Sequence, residues 1–465
     1  MSLKRQNKPI MKKTNTLASL LLMAAAALFS TSCENDNINP YDAQVSGGQG
    51  SFGSVTTALA TYPVGSIVWK NDTTLDESVE VPVGASLYIE PGVTVTCKSG
   101  TQVPIEIVVL GNLYCMGTAD KPVVFTSDTK KPEDWGGIIC GYNSNEVVLN
   151  HTEVAYAGAT PTESSFSFQN KLFKTTIDGG VPAFHFCNID GQFVMANCFF
   201  HDNYNDHTYF TGGKGVIINN IFADNGNAAD GGEAINVKSG CKLDIANNVI
   251  YNACTNAFKL SNAGNSEVVP LTEMTAYNNT MVNCGWRRSK NAKGGSIWLE
   301  KAIAPTFVDN LVYDCRFGLR QPTKDGANLK DARVAPNYYF ASTDAGVSQM
   351  AKGANKMDIW NANDIKSGVA GQFDPLFVNF TKNSQMNINC EVDEADQGAP
   401  LPFATTWDFH MQDGSQALTG GVTDFDRVLP AGLVFLGLKN LQKSNYTEPY
   451  RYTAPLPAAR FGAWL

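Results

Sequence analysis

Val194-x-x-Asn197-x-Phe199, Ile217-x-x-Asn220-x-Phe222, Ile245-x-x-Asn248-x-Ile250, Ala276-x-x-Asn279-x-Met281 and Phe307-x-x-Asn310-x-Val312 are five versions of one short phrase. Measured from Asn197, the asparagine recurs at 220, 248, 279 and 310, gaps of 23, 28, 31 and 31 residues. Recurrence on this scale marks a solenoid in which each repeat packs mainly on its neighbours. The phrase suits one turn of a parallel β-helix. Apolar side chains at fixed offsets stack into a continuous core, and an Asn at the bend tolerates unusual backbone angles while its amide bonds the next coil. The expected fold class is all-β: a single-stranded right-handed parallel β-helix.

A second strand family interleaves with the first: Phe184-His185-Phe186, Ile235-Asn236-Val237-Lys238, Phe258-Lys259-Leu260-Ser261, Ile297-Trp298-Leu299-Glu300 and Phe317-Gly318-Leu319-Arg320. Strand alternation sends Phe184, Phe186, Ile235, Val237, Phe258, Leu260, Ile297, Leu299, Phe317 and Leu319 inward. The outward column is then His185, Asn236, Lys238, Lys259, Ser261, Trp298, Glu300 and Arg320. Cys284 and Cys315 each sit five places after their repeat Asn and Cys254 six after its own, which predicts a stack of buried thiols rather than disulfides. No CxxC or His-spaced cluster indicates zinc.

In the 465-residue chain, charged residues are only 17%, Gly numbers 41 and the net charge is −9. This balance fits short strands with many turns, argues against disorder and a helical bundle, and gives no electrostatic support for binding nucleic acid. At the N-terminus, Lys4, Arg5, Lys8, Lys12 and Lys13 precede the apolar run Leu17–Phe29 and Ser30-Thr31-Ser32-Cys33. The run is too short to span a bilayer and suits a signal peptide. Small residues before a Cys resemble a bacterial lipoprotein signal, which implies lipidation at Cys33. The following Glu34-Asn35-Asp36-Asn37 resembles the export tag of surface lipoproteins of the Bacteroides group. The expected organisation is a signal (1–33), a tether (34–54), a β-helix (55–421) and a C-terminal wrap or cap (422–465). Within the β-helix, N-terminal coils cover 55–145, regular coils 146–330 and irregular coils with excursions 331–421. The expected location is the cell outer membrane, lipid-anchored and facing outward, as a monomer.

The phrases "IEPGVTV" (89–95), "VLGNLYCMGTADKPVVFTS" (109–127) and "DWGGIICG" (134–141) resemble the opening coils of bacterial right-handed β-helix proteins, and "DFHMQDGSQALTGG" (408–421) resembles their closing coil. Asp230 to Ser239 is similar to the core of the β-helical polysaccharide lyases that include chondroitinase B and alginate lyases. There a calcium-binding Glu lies five residues before a catalytic Lys that Ser follows, matched by Glu233 and Lys238-Ser239. The resemblance implies catalytic roles for Lys238 and for Lys259, which stands where the family has Arg. It departs again at Gly231, where the family has another metal-binding Glu. Such a set would use calcium to neutralise a uronic carboxylate while Lys238 removes the neighbouring proton.

Asp224, Asp230 and Glu233 are the candidate Ca²⁺ ligands, although Asn, Asp and Gly at this density also serve as turn residues. The excursion Gly285–Gly295 carries Trp286, Arg287 and Arg288 beside the strand of Trp298. Aromatic planes stack on sugar rings and Arg forks grip carboxylate or sulfate; equally, Trp286 could clamp the excursion to the body. The candidate polysaccharide-binding residues are Trp298, Glu300, Arg320, Asn236, Trp286, Arg287 and Arg288. Three functions are compatible with these features: engagement of an anionic polysaccharide, calcium-dependent lyase chemistry, and a non-catalytic structural or adhesive role.

Overall fold

The computed structural model of the chain describes residues 62–172, 180–226, 231–288, 296–350, 356–382, 401–441 and 448–464. The expected signal with Cys33, the tether, Asp230 and the 289–295 part of the excursion lie outside the described residues. The chain winds as a right-handed parallel β-helix with three long sheets. The first has nine strands, Ile67–Trp69 through Thr306–Val308, and the second eleven, Thr73–Leu75 through Ile365–Lys366. The third has ten, from Val79–Val81 to Leu319–Pro322, closed by the antiparallel return strand Lys356–Asp358. Period-2 alternation turns Phe184, Phe186, Ile235, Val237, Phe258, Leu260, Ile297, Leu299 and Leu319 into one axial core.

The asparagine phrase combines two adjacent columns at the bend from first to second sheet. Asn197, Asn219, Asn247, Asn278 and Asp309 are left-handed, with φ of 57°, 57°, 59°, 50° and 58°. Asx residues tolerate that region because their short polar side chains bond locally. The next position along the chain carries the buried ladder. Asn220 donates to Asn248 Oδ1 at 2.9 Å, Asn248 to Asn279 at 2.9 Å, Asn279 to Asn310 at 2.9 Å and Asn310 to Asn337 at 3.1 Å.

Asn197 therefore does not belong to the ladder, because Ala196 pairs with Ile218 and places Cys198 opposite Asn220. Cys198 Sγ donates to Leu149 O and Ala196 O, in the manner of Asn248 Nδ2 with Ile217 O and Ala246 O. The first of the five phrases is thus out of register by one residue. The ladder runs instead to Asn337, which the phrase missed.

Every described cysteine is free and buried. Cys284 N donates to Cys315 Sγ at 3.3 Å, whereas Cys254 falls outside that stack and faces the Arg287 carbonyl. The second bend repeats the left-handed device at Asp202, Asp224, Asn252, Asn283 and Asp314.

Two outer faces are apolar and covered by later parts of the chain. Leu433, Phe435, Leu438, Leu441 and Tyr452 pack on Tyr88, Tyr114, Val194, Val216 and Tyr277 of the first sheet. Phe409, Met411, Ala417 and Phe461 pack on Val249, Tyr251, Leu311 and Tyr338 of the second. Asp408–Met411 pairs antiparallel with Phe377–Asn379 and adds no rung to the three long sheets. The outer face of the third sheet is the polar one.

Asn279→Ala strands the backbone N–H of Asn248 and removes the side-chain amide bonds to Asn248 and Asn310, whose Oδ1 keeps the backbone N–H of residue 279. At about 1–3 kcal/mol per buried polar group left unpaired, it should destabilise the fold by roughly 3 kcal/mol. Asn197→Gly, at an exposed left-handed position, should leave the urea midpoint nearly unchanged. Equal losses from both substitutions would contradict the assignment of the two columns.

Candidate functional site

In-register pairing on the third sheet aligns His185, Tyr209, Asn236, Lys259, Trp298 and Arg320 in one outward file. One pair of positions further along, Ser261 lies beside Glu300, and Lys238 follows Val237 into the same flanking file. Phe317, expected to point inward at the level of Ile297, is displaced by two residues. Leu319 takes that register, and Phe317 lies buried outside the axial core with the Arg320 guanidinium 4.0 Å from its ring centroid.

A buried ionic cluster surrounds the centre of this face. Asp206 Oδ1 accepts from the backbone N–H of Gly232 (3.0 Å) and Glu233 (2.9 Å), and its Oδ2 accepts from Asn236 Nδ2 at 2.8 Å. The tight turn requires Gly231 and Gly232, at φ 78° and 92°; a Cβ on Gly232 would lie 2.6 Å from Cys254 Cβ. Glu233 Oε1 lies 3.3 Å from Lys259 Nζ and accepts from Asn256 Nδ2 at 3.3 Å. Lys238 Nζ stands 5.3 Å from the centroid of the Tyr209 ring.

The environment separates the protonation states of these groups. Burial and the neighbouring Glu233 charge push the Asp206 carboxyl well above the usual carboxylate range. Burial alone would also raise Glu233, but the Lys259 ammonium and the hydrogen bond with Asp206 outweigh it and hold Glu233 at about 2. Burial opposes the charge on Lys259 too, and Glu233, Asp206 and Glu300 overcome it, raising its pKa. Lys238 goes the other way: burial first, then repulsion from Lys259, lowers it to about 8. One lysine is a fixed counter-ion and the other titrates near neutrality.

Much of the expected column is covered. Trp298 is 1% exposed and donates Nε1–H to Glu300 Oε2 at 2.9 Å. Arg320 is fully buried, 3.2 Å from Asp358 on the return strand, and burial pushes its pKa down to about 10 against the pull of Asp358. Of the excursion, Trp286 donates to Asp314 O at 2.8 Å. Arg287 grips the carbonyls of Asn225 (2.6 Å), Gly226 (3.1 Å) and Asn252 (2.9 Å). Arg288 is half-buried, and its carbonyl accepts from Arg316. The described start of the excursion, residues 285–288, is thus clamped to the coils by Trp286 and Arg287. Tyr209 and Lys259 remain half-buried and form the accessible centre of the file.

Of the three candidate calcium ligands, the two among the described residues are engaged elsewhere. Asp224 belongs to the second bend, where its Oδ1 accepts from Asn252 Nδ2 (2.6 Å) and Leu401 N (3.1 Å), while Glu233 is paired with Lys259. Among the described residues, no three His, Cys, Asp or Glu gather as a metal site. Sequence reasoning missed Tyr209, Asn256 and the part played by Asp206. The alternation Thr208-Tyr209-Phe210 could have revealed Tyr209. Asp206 comes from a bend and carries no periodic signal.

The family described as a pectate-lyase like beta helix domain matches residues 63–169. The match covers the N-terminal coils, stops before the ionic cluster, and suggests a carbohydrate-related function in general terms. Among curated proteins and among solved structures, nothing matches the chain.

His185, at the head of the file, is held at about 3 by burial, far below the ordinary value near 6.5. Its depressed pKa contributes stability that is complete above pH ~6.5 and lost as the pH falls towards about 3. Asp224, raised by burial to about 7, acts in the opposite sense, so the informative quantity is a difference between proteins. The urea-midpoint gap between wild type and His185→Gln should move in the variant's favour as the pH falls below 6.5. A gap independent of pH would contradict the buried neutral imidazole.

Proposed function

We propose that the chain is a surface lipoprotein, anchored in the outer membrane through Cys33, that engages an extracellular anionic polysaccharide with the outer face of the third sheet. The contact centres on Tyr209, Lys238 and Lys259, with Asn236 beside them. The observation that carries this reading is Lys238, an ammonium kept 8% exposed on a wall whose other two faces are apolar. Burying charge costs stability, and a coil needs no charge at that position, so the cluster is a candidate for function. Lys259 is neutralised by Glu233, which leaves Lys238 to meet a uronic carboxylate while the Tyr209 ring offers a sugar-facing surface. Trp298 supports this face through Glu300 and acts as a positioning residue.

A second reading is favoured by the lowered pKa of Lys238: a polysaccharide lyase in which the neutral amine removes the proton beside the uronic carboxylate. The two readings oppose each other in pH. Binding by the ammonium should weaken as the pH rises through about 8, whereas elimination by the free amine should accelerate there. Migration in gels containing alginate, pectate or glycosaminoglycans measures the first, and new ultraviolet absorbance from unsaturated uronides measures the second. Lys238→Ala should weaken binding roughly ten-fold or more, since a hydrogen bond to a charged group contributes about 1.5–3 kcal/mol. Unretarded migration of the wild type in every acidic glycan would remove the binding reading. Absence of new absorbance at pH 9 would remove the lyase.

A further inference from the structure

The left-handed column at the first bend is longer than the asparagine phrase. Asn150 pairs with Ala196, Ala196 with Ile218, Ile218 with Ala246, Ala246 with Tyr277 and Tyr277 with Val308. The residues that follow them, His151, Asn197, Asn219, Asn247, Asn278 and Asp309, therefore stack at the bend, and His151 shares the left-handed backbone with φ 44°. A primary amide carries a donor and an acceptor side by side, as a peptide unit does, so a column of them can pair with an extended main chain.

The C-terminal tail is held in this way. Asn278 Oδ1 accepts from Ala458 N at 3.1 Å, while its Nδ2 donates to Ala458 O (3.2 Å) and Arg460 O (2.6 Å). Asn247 Oδ1 accepts from Trp464 N at 2.6 Å, and its Nδ2 donates to Trp464 O at 2.8 Å. All of these partners are main-chain atoms of the tail. Further along the column, Asn197 and His151 line a cavity of about 260 Å³ whose other wall includes Glu448, Arg451 and Thr453. Asn197 donates there only to Asn150 Oδ1, at 3.5 Å. Burial lowers the His151 pKa, and a neutral imidazole also offers one donor and one acceptor.

We propose that this cavity docks an extended peptide segment of a partner protein, whose main chain Asn197 and His151 bond as Asn247 and Asn278 bond the tail. Continuity with the tail's own track favours a peptide over a sugar, which would present hydroxyls to the same groups. The volume lies just below the roughly 300–1,000 Å³ of small-ligand pockets, which suits a short stretch of chain. The cavity sits at the bend between the first and second sheets, so the inference does not depend on what the third sheet binds.

The probes are heptapeptides displayed on phage, selected on the immobilised full chain, then synthesised and measured by fluorescence anisotropy. Asn197→Gly keeps the left-handed backbone and removes only the amide. It should weaken the selected peptides about ten-fold, as expected for the loss of one or two neutral hydrogen bonds. Methylating one interior peptide nitrogen should weaken binding similarly, and it tests the same contact without altering the protein. A photo-reactive version should cross-link to residues 448–453. Failure to select any peptide that distinguishes wild type from Asn197→Gly would overturn the proposal. Cross-linking beside Asn278 instead would show exchange with the tail and would also overturn it. So would displacement of the peptides by an acidic oligosaccharide from wild type and from Lys238→Ala alike, which would make the cavity a sugar site.

Discussion

The in-register stacking of parallel coils, enforced at the first bend by buried asparagines, is the constraint from which the rest of the molecule follows. At a bend the sheet hydrogen bonds stop, and buried backbone groups need other partners. Asn220, Asn248, Asn279, Asn310 and Asn337 provide them. Each Oδ1 from Asn220 to Asn337 accepts the backbone N–H of the preceding coil, and from Asn248 on it accepts that coil's side-chain amide as well. A slip of one residue would break this ladder and exchange every inward side chain for an outward one. Because slippage is so costly, residues at equal offsets stay stacked over the length of the sheets. Outward files such as His185 to Arg320 are a consequence of that register.

The three outer faces then diverge in chemistry. Tyrosines and valines on the first sheet and Tyr251, Tyr338 and Leu311 on the second are sealed by the returning C-terminal segments. The third face instead holds Asp206, Glu233, Lys238 and Lys259. An exposed ion pair contributes about 0–1 kcal/mol, and a buried one commonly does no better than apolar residues of similar volume. Stability therefore does not explain the cluster. Its internal compensation is also informative: Lys259 is paired with Glu233, and burial beside Lys259 lowers the pKa of Lys238 to about 8.

The fold was legible because a solenoid writes its core into a period of apolar residues and turn formers. The register was less so. Asn197 and Asn220 are identical in sequence terms, yet one is an exposed left-handed bend and the other a buried ladder rung, and Cys198 fills the rung that the first phrase appeared to claim. Strand alternation correctly sent Asn236, Lys238, Lys259 and Trp298 out of the core, but it reports direction and not exposure. Arg320 is sealed by Asp358 on an antiparallel return strand whose distance along the chain no local pattern encodes. Asp206 was hidden for another reason: in DNYNDH it looks like a turn residue, and its partners Gly232, Glu233 and Asn236 lie a full coil later.

The central claim is that the polar outer face of the third sheet is the working surface of the protein. The most direct measurement is a crystal structure of the full chain with a bound acidic oligosaccharide at saturating concentration. The account predicts a uronic carboxylate within hydrogen-bonding reach of Lys238 Nζ, with a sugar ring against Tyr209. An oligosaccharide seated on the C-terminal segments over the first or second sheet, with the Lys238 face empty, would contradict it.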